Sequence, residues 1–331
     1  MIELGAAEMA KALDLAVGTS TLNRGRVETH RVFARADQDG LGWLLQVNPS
    51  ANPVPTTDSR RPFASYRTLS IGKKRKAEDG LPSIPVSHVS LVEPIHLPPP
   101  FTLVRLRESG DAFAHACRIA PESGAGTLVY VGRFDLAEFA VVLEPAEPLR
   151  SARRAFYAGM VALTDALRAY APPSKPITIG WPDAVRIDGG LVGGGRMGWP
   201  LAAIEEEPPP WLVFGAMIRT VAMNEDERGV HPLASALDQE GFGEAGAAQI
   251  TESFARHLML ACDDWQAGGF DGVAREYLSR MPRERQTVQR IDDRGDLLTR
   301  RIGAGEIERG DLVQALATPS WLDPALGGPR L

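Results

Sequence analysis

Seven glycines fall within the 24 residues ITIGWPDAVRIDGGLVGGGRMGWP, positions 177–200, among residues that otherwise favour strands. Glycine weakens a strand, so such a cluster marks a bend or a place where another group lies against bare backbone. Alternate residues of an extended arm face one side. Gly193 and Gly195, with Gly190 and Gly194 beside them, would then line a trough open to a flat or elongated ligand. Polar chemistry lies close by in Asp183, Asp188, Arg196 and Arg219, and in Arg133 of the segment VGRFD. Guanidinium groups grip phosphate or carboxylate through paired hydrogen bonds, so the ligand expected here is an acid or a phosphate ester. The plainer reading is that the glycines only let the strand bend, and that the arginines are solvated.

Other chemistries lack their motifs. The chain contains no GxxxxGK[ST], no strand–GxGxxG–helix, no GxSxG, no HExxH and no paired-cysteine zinc spacing. GGLVGGGRM sits on the second arm of a predicted hairpin with no helix after it, which excludes a dinucleotide reading. His115 and His257 fall on amphipathic helices and read as packing residues. Cys117 and Cys262 fall in apolar helical settings, where a buried thiol is inert.

The elements that must position these residues are dense from Pro98 onward. FTLVRLRE alternates like a strand. A helix follows, with Ser109 or Asp111 as its cap, and runs towards Pro121 and Gly124. TLVYVGRFDLAEFAVVLEP reads as two strands around GRFD, and PLRSARRAFYAGMVALTDALRAYAPP as an amphipathic helix ended by prolines. ITIGWP, AVRI, a DGG turn and LVGGGRMGW then form a hairpin. WLVFGAMIRTVAM supplies another strand, residues 250–280 two helices, QRIDDRGDLLTRRIG a hairpin and GEIERGDLVQALA a last short helix. Strands outnumber crossovers and hairpins are frequent. The expected fold is α+β, with a mixed, mostly antiparallel sheet and flanking helices.

This order of elements is similar to that of the biotin/lipoate protein ligase family. GWPDAVRIDGGLVGGG resembles the family's WPND segment with its DG turn and following glycine, Trp181 and Pro182 matching the first two positions. GAMIRTVAM resembles the next strand and DAFAHACRIA the first helix, so the resemblance covers about residues 100–275. It departs in three places. The family's lysine after the turn falls at Gly190, and no lysine occurs from 176 to 331; Ala184 replaces a polar residue; the adenylate loop is reduced to Gly132 and Arg133. Arg196 lies six residues beyond Gly190, about 20 Å along a strand, too far to replace that lysine without a bulge.

The resemblance implies a ligase or acyl transferase. It would activate biotin, lipoate or octanoate with ATP and magnesium to an acyl-adenylate, then modify a lysine of a biotinyl or lipoyl carrier domain. In that reading Gly193, Gly194 and Gly195 form the trough and Trp181 its wall. Arg133 is the phosphate cation, Asp183 orients nucleotide or lysine, and Gly190, Arg196 and Arg219 line the site. The alternative is a non-catalytic relative that binds the acid or the carrier domain.

The whole chain sets the remaining bounds. Its 331 residues are 44% hydrophobic and 24% charged, with net charge −6, which gives no general attraction to nucleic acid or anionic lipid. No apolar run is long enough to span a membrane, and residues 1–20 lack the basic segment and apolar run of a secretory signal; with two cysteines, a reduced cytoplasmic location is expected. Residues 1–95 are rich in proline, serine and charge and read as a disordered extension. The run Lys73 to Lys76 within them reads as a solvated loop. Methionine is absent between Met9 and Met160, consistent with translation beginning near residue 90. Residues 96–285 would form the ligase-like domain and 286–331 a small C-terminal domain.

Overall fold

A computed structural model of the chain describes residues 31–36, 43–48, 67–70, 94–222, 233–243, 245–303 and 305–330. The chain divides into two compact units, residues 1–87 and 88–331. In the first, β1 (Arg31–Ala36), β2 (Trp43–Asn48) and β3 (Arg67–Ser70) pair antiparallel in that order. β2 overlaps the apolar stretch LGWLLQV, residues 41–47. The remainder of the expected disordered extension up to residue 93, including Lys73 to Lys76, lies outside the described residues.

The second unit is built on one sheet. Its strands are β4 (Thr102–Leu106), β5 (Thr127–Val131), β6 (Leu136–Leu143), β7 (Ile177–Gly180), β8 (Ala184–Ile187), β9 (Gly190–Gly198) and β10 (Leu212–Arg219). They lie in the order β4-β5-β6-β10-β9-β8-β7, with β4 and β5 parallel and every other pair antiparallel. The fold is thus α+β with a mixed, mostly antiparallel sheet. β5, β6 and β10 are buried on both faces, and apart from Glu138 of β6 and Arg219 at the end of β10 they carry the near-continuous apolar run that such a position demands.

One face carries α2 (Leu149–Ala152), α3 (Ala155–Arg168), α4 (Ala247–Gly268) and α5 (Phe270–Ser279). Eleven of the 14 residues of α3 are buried; a helix apolar all round belongs inside a core. Phe139, Phe156, Phe214 and Phe254 meet in that layer, Phe214 and Phe254 stacked with centroids 5.5 Å apart. The opposite face carries α1 (Ala112–Ser123), whose stripe Ala112, Ala116 and Ala120 packs on Val129, Ala140, Val142 and Val213. Small side chains at this spacing let the helix lie close to the sheet.

The C-terminal segment forms a sheet of β11 (Thr287–Ile291), β12 (Leu297–Arg301) and β13 (Ile307–Gly310), then α6 (Leu312–Ala317). A two-residue-per-arm hairpin, β14 (Leu322–Asp323) and β15 (Gly328–Pro329), ends the described chain. This small sheet lies within residues 286–331, where a small C-terminal domain is expected, and it falls in the same compact unit as the large sheet. Leu297, Leu312 and Leu316 are buried in the main core, and the Tyr157 hydroxyl donates to the Gly295 carbonyl at 2.5 Å.

Candidate functional site

The chain leaves β7 through a cis Trp181–Pro182 peptide and enters β8. Trp181 donates from Nε1 to the Tyr157 hydroxyl at 3.2 Å, and its ring lies so near Gly310 that a Cβ there would sit 2.8 Å away. These contacts set Trp181 between α3 and the C-terminal sheet. The Tyr277 hydroxyl donates to the Pro182 carbonyl at 2.7 Å. Asp183 follows and is fully buried. Its carboxylate accepts from the Ser320 amide at 3.0 Å and from the Ser320 hydroxyl at 2.6 Å. Burial raises its pKa to about 6, although both bonds from Ser320 pull the other way.

The turn Asp188–Gly189 has φ of 50° and 89°, the left-handed pair that a two-residue hairpin requires. Beyond it the glycines of β9 do not share one open face. Gly190 abuts Ser235, whose Cβ would lie 2.7 Å from a Cβ built on the glycine. Gly193 has φ of 149°, and a Cβ there would strike the Met217 carbonyl at 1.9 Å, in the plane of the sheet. A register shift between Val185 and Arg186 accompanies it, the mark of a β-bulge. Gly195 faces the helical layer, where Met160 Sδ and Phe214 occupy the space a side chain would need. Gly194 faces the other way, and there the indole of Trp321 rests on it, 2.4 Å from an added Cβ. Gly198 and Gly215 continue the bare strip on that face and take Phe113 of α1.

The glycines therefore make room for tightly packed neighbours, and on one face the neighbour is the C-terminal segment. Trp321 is fully buried among Leu136, Ala184, Leu191 and Met217. Its Nε1 donates to the Gly195 carbonyl at 3.0 Å, while the Gly195 amide donates to the Asp183 carbonyl at 3.0 Å.

Three arginines border this face. Arg133 is held through Nε at 3.0 Å and Nη2 at 2.6 Å by Asp135, which raises its pKa. Any anion that Arg133 takes must displace that carboxylate. Arg196 reaches Asp111, the N-cap of α1, at 2.8 Å and lies 4.3 Å over the Phe113 ring. Arg219, at the end of β10, is half-buried, and its nearest hydrogen bond runs to the Pro329 carbonyl at 2.7 Å, with longer ones to Ser235 and Arg330. Burial lowers its pKa, opposed by the charge of Asp135. Among the described residues it is the member of this trio bonded only to neutral carbonyls.

Sequence reasoning missed Glu138, Ser320 and Trp321. Glu138 lies on β6 and is 3% exposed. It accepts from the Ala112 amide of α1 at 2.9 Å, and burial raises its pKa. One charge inside LAEFAVVL was the available signal, because a buried carboxylate needs a partner. A lone tryptophan in the polar tail TPSWLDPALGG was the signal for Trp321.

A separate concavity of about 760 Å³ lies on the C-terminal sheet, bounded by Asp292, Asp296, Arg309 and neighbours. Asp292 and Asp296 there pair with Arg309 at 2.9 and 2.6 Å, and Asp296 also accepts from the Leu312 amide. Among the described residues no three His, Cys, Asp or Glu side chains converge as a metal cage, and no helix is long and apolar enough to cross a membrane.

Solved structures are similar to this one. A biotin protein ligase-like protein of unknown function from Silicibacter sp. TM1040 is 26% identical, with a TM-score of 0.59 over 68% of this chain and 100% of that one. Biotin protein ligase from Aquifex aeolicus is 15% identical in its apo structure, with a TM-score of 0.48 over 63% of this chain and 98% of that one. The same enzyme in complex with biotin and ATP is 14% identical, with a TM-score of 0.46 over 62% of this chain and 97% of that one. No curated protein matches. The model of the biotin/lipoate A/B protein ligase family matches residues 97–279, a span that takes in the sheet, both helical faces and the glycine strand, and the chain belongs to that family.

Proposed function

We propose that this protein is a ligase or acyl transferase acting on a biotin-, lipoate- or octanoate-type acid. The acid is joined to AMP from ATP with release of pyrophosphate. A lysine amine of a biotinyl or lipoyl carrier domain then attacks the acyl carbonyl and AMP leaves. The observation that carries the reading is Arg219, a half-buried guanidinium on β10 two residues beyond Met217, the register partner of Gly194; among the described residues its hydrogen bonds go to neutral carbonyls. A partly desolvated cation without a carboxylate partner is suited to the charge that develops on a phosphate and a carboxylate in the transition state. Arg219 is thus the candidate for the charge that the family's lysine supplies, and it needs no displacement of an acid.

The other residues divide the remaining work. Arg196, paired with the exposed Asp111, favours the anionic end of a ligand. Gly194, Met217 and Leu191 offer an apolar floor for its body. Asp183 lies across β9 from that floor and is the carboxylate available to orient an incoming amine. Magnesium in such sites is held largely by substrate phosphates with one or two protein carboxylates. Asp135, whose charge Arg219 feels, would share an ion carried in on the nucleotide only by giving up its bonds to Arg133. Arg133, Trp181, Gly190, Gly193 and Gly195 support the site by packing in this reading.

Acid-dependent ATP–pyrophosphate exchange tests it, with biotin, lipoate and octanoate offered separately to the full chain. Exchange that Arg219→Ala removes supports the proposal. Acid binding by calorimetry without exchange for any of the three would instead establish a binding protein that has lost its chemistry.

A further inference from the structure

Three separate features of the ligand face are engaged by one short piece of chain. Ser320 holds Asp183 by two hydrogen bonds. Trp321 lies on Gly194 and donates to Gly195. The Pro329 carbonyl accepts from Arg219. We infer that residues 320–330 are a strap that occupies the ligand position and must withdraw before an acid or nucleotide can enter. This rests on the reading of the face as a ligand site given above.

The strap is built to be removable. α6 is anchored by the buried Leu312 and Leu316, after which Ala317 and Thr318 are exposed. Within 320–330 only Trp321 and Pro329 are buried, and residues 324–327 are exposed. The hairpin pairs just two residues on each arm, Leu322 with Pro329 and Asp323 with Gly328. A segment with two buried residues, a ladder of two pairs and an exposed turn lies at the low end of local stability. Withdrawal about the exposed residues 317–318 removes the indole and leaves α6 in place.

The occupant also describes what can replace it. Trp321 is a flat fused bicycle whose single N–H is directed at the Gly195 carbonyl. A ligand that displaces it without a donor leaves that carbonyl short of a partner, which weakens binding. A ring system carrying an N–H, on the acid or on the nucleotide base, restores the bond.

A population effect follows. When the open state is a small fraction of the molecules, apparent affinity falls by that fraction. Trp321→Gly in the full chain should therefore bind biotin or octanoate at least tenfold more tightly than the unsubstituted chain, by calorimetry. Ser320→Ala, which deletes one hydroxyl and leaves the packing intact, should move affinity in the same direction by a smaller factor. In the unsubstituted chain at saturating acid, hydrogen exchange of the amides of 320–330 should accelerate while those of 190–198 slow. Equal affinity in all three proteins, with tail amides unchanged by ligand, would overturn the strap and leave the ligase reading standing. Absence of binding by a cooperatively folded Trp321→Gly chain whose tail amides exchange freely would overturn the ligase reading and the strap with it.

Discussion

The indole of Trp321 rests on the backbone of Gly194, so close that a Cβ on the glycine would come within 2.4 Å of its Cδ1. The two residues lie far apart in the chain, yet the bare backbone of one makes the seat of the other. This contact joins the glycine-rich strand, the WP turn and the C-terminal tail into one surface.

Gly194→Ala should disrupt that surface. The added methyl would meet the Asp183 carbonyl at 2.0 Å as well as the indole, and overpacking of this kind costs about 1–3 kcal/mol. Urea unfolding should show the loss, and exchange of the Ser320 amide should accelerate. Unchanged stability with a protected tail would contradict the packing described.

Asp183→Asn should change how stability depends on pH. The folded value of about 6 lies above the ordinary 3.8, so between these values the folded chain keeps a proton that the unfolded chain has lost. Stability contributed by the neutral acid is present below the lower value and lost as pH rises through the upper one. The rise corresponds to about 3 kcal/mol at 25 °C. Wild type should therefore lose that much relative to Asp183→Asn between about pH 4 and 7, in parallel urea titrations. A difference independent of pH would show that Asp183 titrates normally.

Arg219→Ala should lower the rate of acid-dependent pyrophosphate exchange about a hundredfold, the typical effect of deleting one charge-stabilising donor. Arg133→Ala should cost less, because its guanidinium is already neutralised by Asp135. Initial-rate assays on both variants give the comparison, and a larger loss at Arg133 would move the phosphate site to the β5–β6 turn.

Cys117→Ser and Cys262→Ser should retain exchange activity within about twofold. Burial pushes the Cys117 thiol to about 11 and raises that of Cys262, so neither is a thiolate at neutral pH. Iodoacetamide should modify both in the native chain far more slowly than after unfolding. Rapid alkylation of Cys117 with loss of activity would favour a thioester route.

Most of the elements were legible in the sequence because their period and their turns are local. The strands around GRFD, the DGG hairpin and the two helices after residue 247 all appear where alternation, Asp-Gly pairs and helical spacing indicate. The helix read from PLRSARRAF is broken into α2 and α3 at Arg153 and Arg154. There Arg153 turns to Glu205 and Arg154 to Glu147. The facing of the glycines was not legible, since strict alternation would set Gly193 and Gly195 on one side. The bulge aims Gly193 into β10 and Gly195 into the helical layer, leaving Gly194 beneath the indole. That bulge is a pairing property of β8 and β9 together, so β9 alone does not reveal it. Trp321 carries no local periodicity either. Its place is set by the shape of a sheet formed far earlier in the chain.

The most direct measurement is fluorine NMR of the full chain labelled with 5-fluorotryptophan, with Trp321→Phe identifying its resonance among those of the six tryptophans. On titration with biotin, lipoate or octanoate, each with ATP and magnesium, the Trp321 signal should move from a buried position to that of solvent-exposed indole as ligand saturates. A Trp321 signal that stays buried while calorimetry records saturation would mean that the ligand binds elsewhere and that the glycine strand is only the tail's seat.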